Sequence, residues 1–428
     1  MSKQNENRQG YKNTKVGWIP KEWAVKVLGS FGSFSKGKGI SNSEKKEMGL
    51  SCITYGEIYT THDYVIKDFN SFIDIETAKK SQRIKRNDVL FAGSGETLDE
   101  IGKCVAYTKD VEAYAGGDIV IFSQNNVDCI YLSYSLNSDL ITKQKRKLGQ
   151  GYSVVHIYSS GLKKLYVPLP PLPEQKRIAE ILSVWDEAIE QVANLINAKI
   201  ALKKSLMQQL LTGKLRFKEF VKSTKRVETR YGKIPFDWKY PRIEDIADEV
   251  SDRNINGRNI PVLSCTKYEG LVNSLLYFGK RIFSKDTSNY KIVRRDQFAY
   301  ATNHIEEGSI GLLNLLDEGL VSPMYTVFKT KANVYAPFLY KVFKTELYRH
   351  IFEVNTSGSI DRRGSLRWKH FSQIHIPLPS IEEQKKISAC IDTCDRGIKL
   401  LQQLADALKT QKKGLMQKLL TGKIRVKV

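Results

Sequence analysis

Apolar positions fall into two long runs of helical period, separated by stretches of shorter, strand-like alternation. Ile178, Leu182, Trp185, Ile189, Val192 and Ile196 follow a four-three spacing, and Ile387, Ile391, Cys394, Ile398, Leu401 and Ala405 repeat it. Such spacing puts each set on one helix face, leaving a seam that must be buried. Pro173 and Ser380 supply helix starts, and Gly213 and Gly422 supply stops. At 1.5 Å per residue, about 37 helical residues span roughly 55 Å. The residues expected to pair the helices are Ile178, Leu182, Trp185, Ile189, Ile387, Ile391, Ile398 and Leu401.

The remaining stretches read as mixed α/β. Asp88–Phe91, Asp118–Phe122 and Val154–Tyr158 are apolar runs bounded by glycine turns, which predicts strands. Later in the chain, Gln297–Tyr300 and Met324–Phe328 predict strands and Pro337–Val354 a helix, while Glu219–Arg230 has the polar, basic character of a linker.

Comparing the chain with itself fixes its organisation. Val167–Phe217 aligns without a gap to Ile376–Val426, sharing the proline motif at Pro168 and Pro377, the Glu-Gln-Lys at Glu174–Lys176 and Glu383–Lys385, and the segments Leu206–Arg216 and Leu415–Arg425. A second match, Gly17–Trp23 with Gly232–Trp238, opens the stretch before each helix. The implied order is a polar segment over 1–15, a domain over 16–170, a helical spacer over 171–217, a linker over 218–230, a second domain over 231–379 and a second helical spacer over 380–428.

The formal charge of +22 turns this duplicated frame toward a polyanionic partner, with nucleic acid first. No basic amphipathic segment with a Trp- and Phe-rich face supports a membrane surface. The opening residues read as neither signal nor anchor, and no apolar run approaches a membrane span. Six cysteines without a CxxC pair suit a reducing cytoplasm.

Catalytic signatures fail one by one. Glu-x-Lys occurs at both helix starts, where acidic residues favour the positive end of the dipole, and no Pro-Asp precedes it at a useful distance. Gly32–Gly39 approaches a phosphate-binding loop but has Gly39 where the magnesium-holding hydroxyl belongs. There is no Asn-Pro-Pro-aromatic run, no cofactor-type glycine turn and no HExxH, so no catalytic, cofactor or metal residue is assigned. The candidate DNA contacts are Lys36, Lys38, Arg83, Lys85, Arg86, Lys143, Lys145, Arg146, Arg294, Arg295, Arg362, Arg363 and Arg367, with Gln144, Gln150, Asn303 and His304 able to read base edges.

Paired Pro-Leu-Pro openings that head helices ending in Leu-Met-Gln-x-Leu-Leu-Thr-Gly-Lys resemble the specificity (S) subunit of type I restriction-modification systems. The resemblance implies an α+β fold. Two mixed α/β target-recognition domains would alternate with two long helices, paired as an antiparallel coiled coil about a pseudo-twofold axis. It implies a role in binding a bipartite, asymmetric duplex DNA site. The implied partners are two methyltransferase (modification) subunits and restriction/translocase subunits, with S-adenosylmethionine, ATP and Mg on those partners and no cofactor in this chain. Arg86–Lys103 is similar to the family's strand and glycine-turn segment, whereas Arg294–Gly311 has Asn303 and His304 in place of the glycine turn. The alternatives are a specificity module partnering or fused to a type II methyltransferase-nuclease, and a coiled-coil nucleic-acid-binding scaffold.

Overall fold

The computed structural model describes residues 9–151, 153–356 and 364–427. The fold is α+β, and its two compact units are residues up to Ala193 with Gln403 onward, and Asn194–Gln402. Each unit therefore holds one mixed domain and part of each long helix.

The helices run Leu172–Leu210 and Ile381–Leu419, 39 residues each. Pro173 sits in the first turn of the first helix, where a missing N–H costs nothing. In the second, the Ser380 hydroxyl accepts from Glu383 N at 3.3 Å. In the first unit Ile178 and Leu182 are buried in one cluster with Met416, Leu419 and Leu420, so the start of one helix lies with the end of the other. The second unit repeats this arrangement, with Leu210 and Leu211 clustered with Ile387 and Ile391. Both clusters take in the adjoining domain's core, so these seam residues also anchor the domains. Towards the helix centres the seam is uneven: Trp185, Ile189, Ile398 and Leu401 are half-buried, while Val192 and Ala405 are buried. An ion pair crosses the helices at the same repeat position in each unit, Lys412 with Asp186 in the first and Lys203 with Asp395 at 2.5 Å in the second.

The first domain carries an antiparallel sheet ordered Cys104–Ala106, Val89–Ala92, Ile119–Ser123 and Ser33–Lys36. A second sheet is ordered Ser71–Ile73, Leu50–Ile53, Ala113–Ala115 and Gln82–Ile84. Tyr11–Thr14 forms a hairpin with Gly17–Pro20, and Tyr166–Leu169 returns to pair with Ala24–Val27 just before the first long helix. The second domain has a sheet ordered Ala247–Val250, Tyr325–Thr330, Gln297–Ala301 and Ile310–Leu312. Equivalent left-handed residues, Asn87 and Asp296, precede the matching strands. The next side chain in each, Asp88 or Gln297, accepts the backbone N–H of Lys85 or Arg294. The two domains thus share a turn that their sequences barely reveal.

Three expectations change. The linker expected over 218–230 ends in a strand, Arg226–Thr229, which pairs with Gly232–Pro235 and so belongs to the second domain. Pro337–Val354 is two helices, Ala336–Phe343 and Glu346–Asn355, because the Thr345 hydroxyl caps the second by accepting from Tyr348 N at 3.3 Å. The strand expected over Val154–Tyr158 shrinks to Val155–His156, paired with Ser94–Gly95.

Candidate nucleic-acid interface

The repeated motifs meet in space within each unit. In the second unit Arg216, from the Thr-Gly-Lys-Leu-Arg end of the first long helix, grips Glu383 at the start of the second through Nε at 2.8 Å and a terminal nitrogen at 2.8 Å. It also makes a two-point pair with Asp237 at 2.7 and 3.0 Å, while Trp238 Nε1 donates to Glu383 at 3.2 Å. The first unit builds the same clasp from Arg425, Glu174, Glu22 and Trp23: Arg425 donates to Glu174 at 2.7 and 3.0 Å and to Glu22 at 2.7 Å, and Trp23 Nε1 donates to Glu174 at 3.0 Å. The hydrogen bonds to these carboxylates raise the pKa of Arg216 and Arg425, a sign of firmly held charge.

Other motif residues complete each clasp. Gly213 and Gly422 are left-handed, and a Cβ there would lie 2.5 Å from Pro235 or 2.4 Å from Pro20. Gln175 and Gln384 each donate to a carbonyl of the proline motif and accept from a domain backbone N–H, that of Asp128 or Tyr335. Only the lysine of Glu-Gln-Lys faces solvent. The tripeptide therefore joins helix to domain, a role beyond the helix-dipole effect read from sequence.

Each domain presents two adjoining loops. In the second unit the turn Lys267–Glu269 lies beside Thr302–Gly308. Lys344 Nζ bridges them, donating to Lys267 O at 2.9 Å and Gly308 O at 2.7 Å. Burial lowers the pKa of Lys344. His304 Nδ1 lies 3.2 Å from Glu307 Oε1, and Arg349 donates to Glu306 O. In the first unit the helix Tyr55–Thr60 lies against Ser94–Lys103: Tyr59 Oη donates to Glu100 O and Lys103 Nζ to Tyr59 O, both at 3.4 Å.

The candidate contacts selected from sequence divide by environment. Lys36, Lys38, Lys85, Gln150 and Arg367 are exposed, as is His304, and Asn303 is half-buried. Lys143 lines an open cavity of about 670 Å³ with Lys409, Lys413 and Asp139. Arg83, Arg86, Arg146, Arg294 and Arg295 face Glu112, Asp110, Asp99, Asp252 and Asp317 at 3.9, 2.6, 2.8, 2.5 and 3.0 Å. Such exposed pairs are weak enough to open towards a phosphate. Two candidates do not face outward. Gln144 exchanges two hydrogen bonds with the Tyr166 backbone, and Lys145 is buried, donating to Gly102 O at 2.7 Å. Arg362 and Arg363 lie outside the described residues. The sequence reading also passed over exposed Tyr55 and Tyr268, although Leu-Ser-Cys-x-x-Tyr recurs at Leu50–Tyr55 and Leu263–Tyr268.

Burial holds the Lys145 ammonium down to about 8, against an ordinary 10.5. The folded state therefore binds this proton more weakly than the unfolded state. The resulting penalty, about 3 kcal/mol, is fully present below pH 8 and fades as pH rises towards 10.5. Lys145→Met removes the penalty but leaves the Gly102 carbonyl unpaired, at a cost of about 1–3 kcal/mol. Near pH 7 the two effects nearly cancel. The clear signature is that unfolding free energy between pH 8 and 10 rises in the parent relative to Lys145→Met. Parallel urea-unfolding profiles over that range would refute the assignment.

A twice-built domain, clasped each time to the same pair of helices, defines a duplicated recognition scaffold. A family model, the type I restriction modification DNA specificity domain, matches residues 20–201 and 235–410, and the chain belongs to that family. The type I restriction enzyme MjaVIII specificity subunit of Methanocaldococcus jannaschii is 26% identical over 432 residues, covering 96% of this chain and 94% of that protein. The type I restriction-modification S subunit from M. genitalium has a similar fold, with a TM-score of 0.54 at 17% identity over 93% of this chain and 96% of that one. A chain from a structure of type I R-M complex assembly and conformational transition matches with a TM-score of 0.57 at 15% identity, covering 95% and 99%. Among the described residues no helix is long and apolar enough to cross a membrane.

Proposed function

We propose that the chain is the DNA sequence-recognition subunit of a type I restriction-modification complex, reading a bipartite, asymmetric duplex site with one domain on each half. The observation that carries this reading is the contrast between frame and loops. The clasp is rebuilt residue for residue in both units, while Ser94–Lys103 and Thr302–Gly308 differ in sequence and shape. A shared geometry with separate readout suits two half-sites. The charge of +22 suits the duplex backbone, whose phosphates supply affinity while base edges supply sequence.

The chain acts by binding and has no catalysis of its own. Two modification subunits would bring S-adenosylmethionine, and restriction/translocase subunits would bring ATP and Mg. Apolar side chains exposed along the long helices, Val184, Leu195, Ile200, Leu202, Leu400 and Leu404, offer partner-docking surface. The working compartment would be the cytoplasm. The purified chain should give no nuclease, ATPase or methyltransferase turnover with magnesium, ATP and S-adenosylmethionine, yet methylate a split adenine site once co-expressed with modification subunits. Turnover that copurifies with the chain alone, or methylation without a split site, would overturn this reading.

A further inference from the structure

We infer that Tyr55 and Tyr268 are equivalent DNA-contacting side chains, one in each reading domain, whose rings pack against bases or deoxyribose of the half-site that domain reads. The inference rests on the proposed recognition function. In each domain a strand beginning Leu-Ser-Cys, Leu50–Ile53 or Leu263–Thr266, delivers a tyrosine three residues beyond the cysteine. The cysteine turns inward and the tyrosine outward. Burial pushes each thiol up to about 12, while Tyr55 is 41% exposed and Tyr268 83%. Four identities in six positions persist inside domains that diverge beyond their opening Gly17–Trp23 and Gly232–Trp238 match, and the fold does not bury the ring that ends the match.

Both tyrosines also stand beside the second loop of their domain. Lys344 fastens the Tyr268 turn to Thr302–Gly308, and Tyr59 with Lys103 fastens the Tyr55 helix to Ser94–Lys103. A ring carried on a braced turn loses little conformational entropy on binding, and it offers a face to any base or sugar together with a hydroxyl donor. The surroundings suit a polyanion. Lys267 Nζ lies 5.4 Å from the centre of the Tyr268 ring, and Lys45 Nζ donates to Thr54 Oγ1, next to Tyr55, at 3.1 Å. An exposed aromatic ring with a lysine nearby is an arrangement that can stack on nucleic acid while the cation meets the backbone.

The test uses the full chain assembled with its modification subunits on duplexes carrying the methylated site. Tyr55→Ala and Tyr268→Ala should each weaken binding by about tenfold, and Tyr268→Phe should retain most of it, because the ring carries the contact. Missing-base interference should then lose its signal in one half-site for Tyr55→Ala and in the other for Tyr268→Ala. The slope of affinity with salt should stay unchanged, since no cation is removed. If both alanine variants bind within twofold of the parent and keep both interference patterns, the inference fails while the recognition function stands. If the parent complex does not prefer the methylated duplex over a scrambled one, both fail.

Discussion

Arg216→Ala should destabilise the second unit by about 3–5 kcal/mol, because it strands a carboxylate that the fold cannot hydrate. Glu383 is 2% exposed and Arg216 7%, so removing the guanidinium leaves Glu383, among the described residues, with the Trp238 indole as its one side-chain donor, and Asp237 loses its two-point partner. The equivalent Arg425→Ala should cost less. Arg425 is 38% exposed and its second acid, Glu22, is 69% exposed, so water offsets part of the loss. Calorimetry on the full chain should show one transition shifted strongly by Arg216→Ala and a smaller shift for Arg425→Ala. Adding Glu383→Gln to Arg216→Ala should recover part of the loss, since a neutral amide tolerates burial better than an unpaired charge. Equal small shifts for both arginine variants would mean that the clasp contributes little.

The helices and the duplication were legible because they are local signals. A four-three apolar period needs only its own segment, and an ungapped repeat needs only the chain. The α+β class and the pairing of start with end followed from them and from the family resemblance. The clasp was not legible. Trp23 and Glu174 are 151 positions apart and Glu174 and Arg425 are 251, and each reads as ordinary in its own segment: a turn aromatic, a helix-start acid, a trailing basic residue. Lys145 misled because a run of Lys143, Lys145, Arg146 and Lys147 reads as one solvated patch, while helical phase turns Lys145 towards Gly102 and Ile141 into the core. Gln144 looked like a base reader but serves a backbone edge. The repeated Leu-Ser-Cys-x-x-Tyr was readable in principle. It was hidden by its length, since six positions inside diverged domains carry little weight until both tyrosines are seen on the surface.

Exchanging residues 24–166 for the corresponding domain of a relative should rewrite one half-site and leave the other and the spacer unchanged. The replaced segment contains the loop Ser94–Lys103 and Tyr55 but ends before Glu174, so the acceptor of the clasp stays native. Glu22 and Trp23 lie just outside the exchange as well, which keeps Arg425 fully partnered. Inserting four residues midway along one long helix should do the reverse. Four residues add about 6 Å and about 400° of turn, only some 40° past a full revolution, so the seam keeps nearly its phase. The half-buried residues near the helix centres can absorb that error better than Ile178 or Ile391, which are locked into domain cores. The duplex rises about 3.4 Å per base pair, so the preferred spacer should lengthen by one or two pairs while both half-sites persist. Both variants, co-expressed with the modification subunits, are scored by mapping methylated adenines across the genome. A domain exchange that altered both half-sites, or an insertion that changed the bases read without changing their separation, would show that readout and frame are not independent.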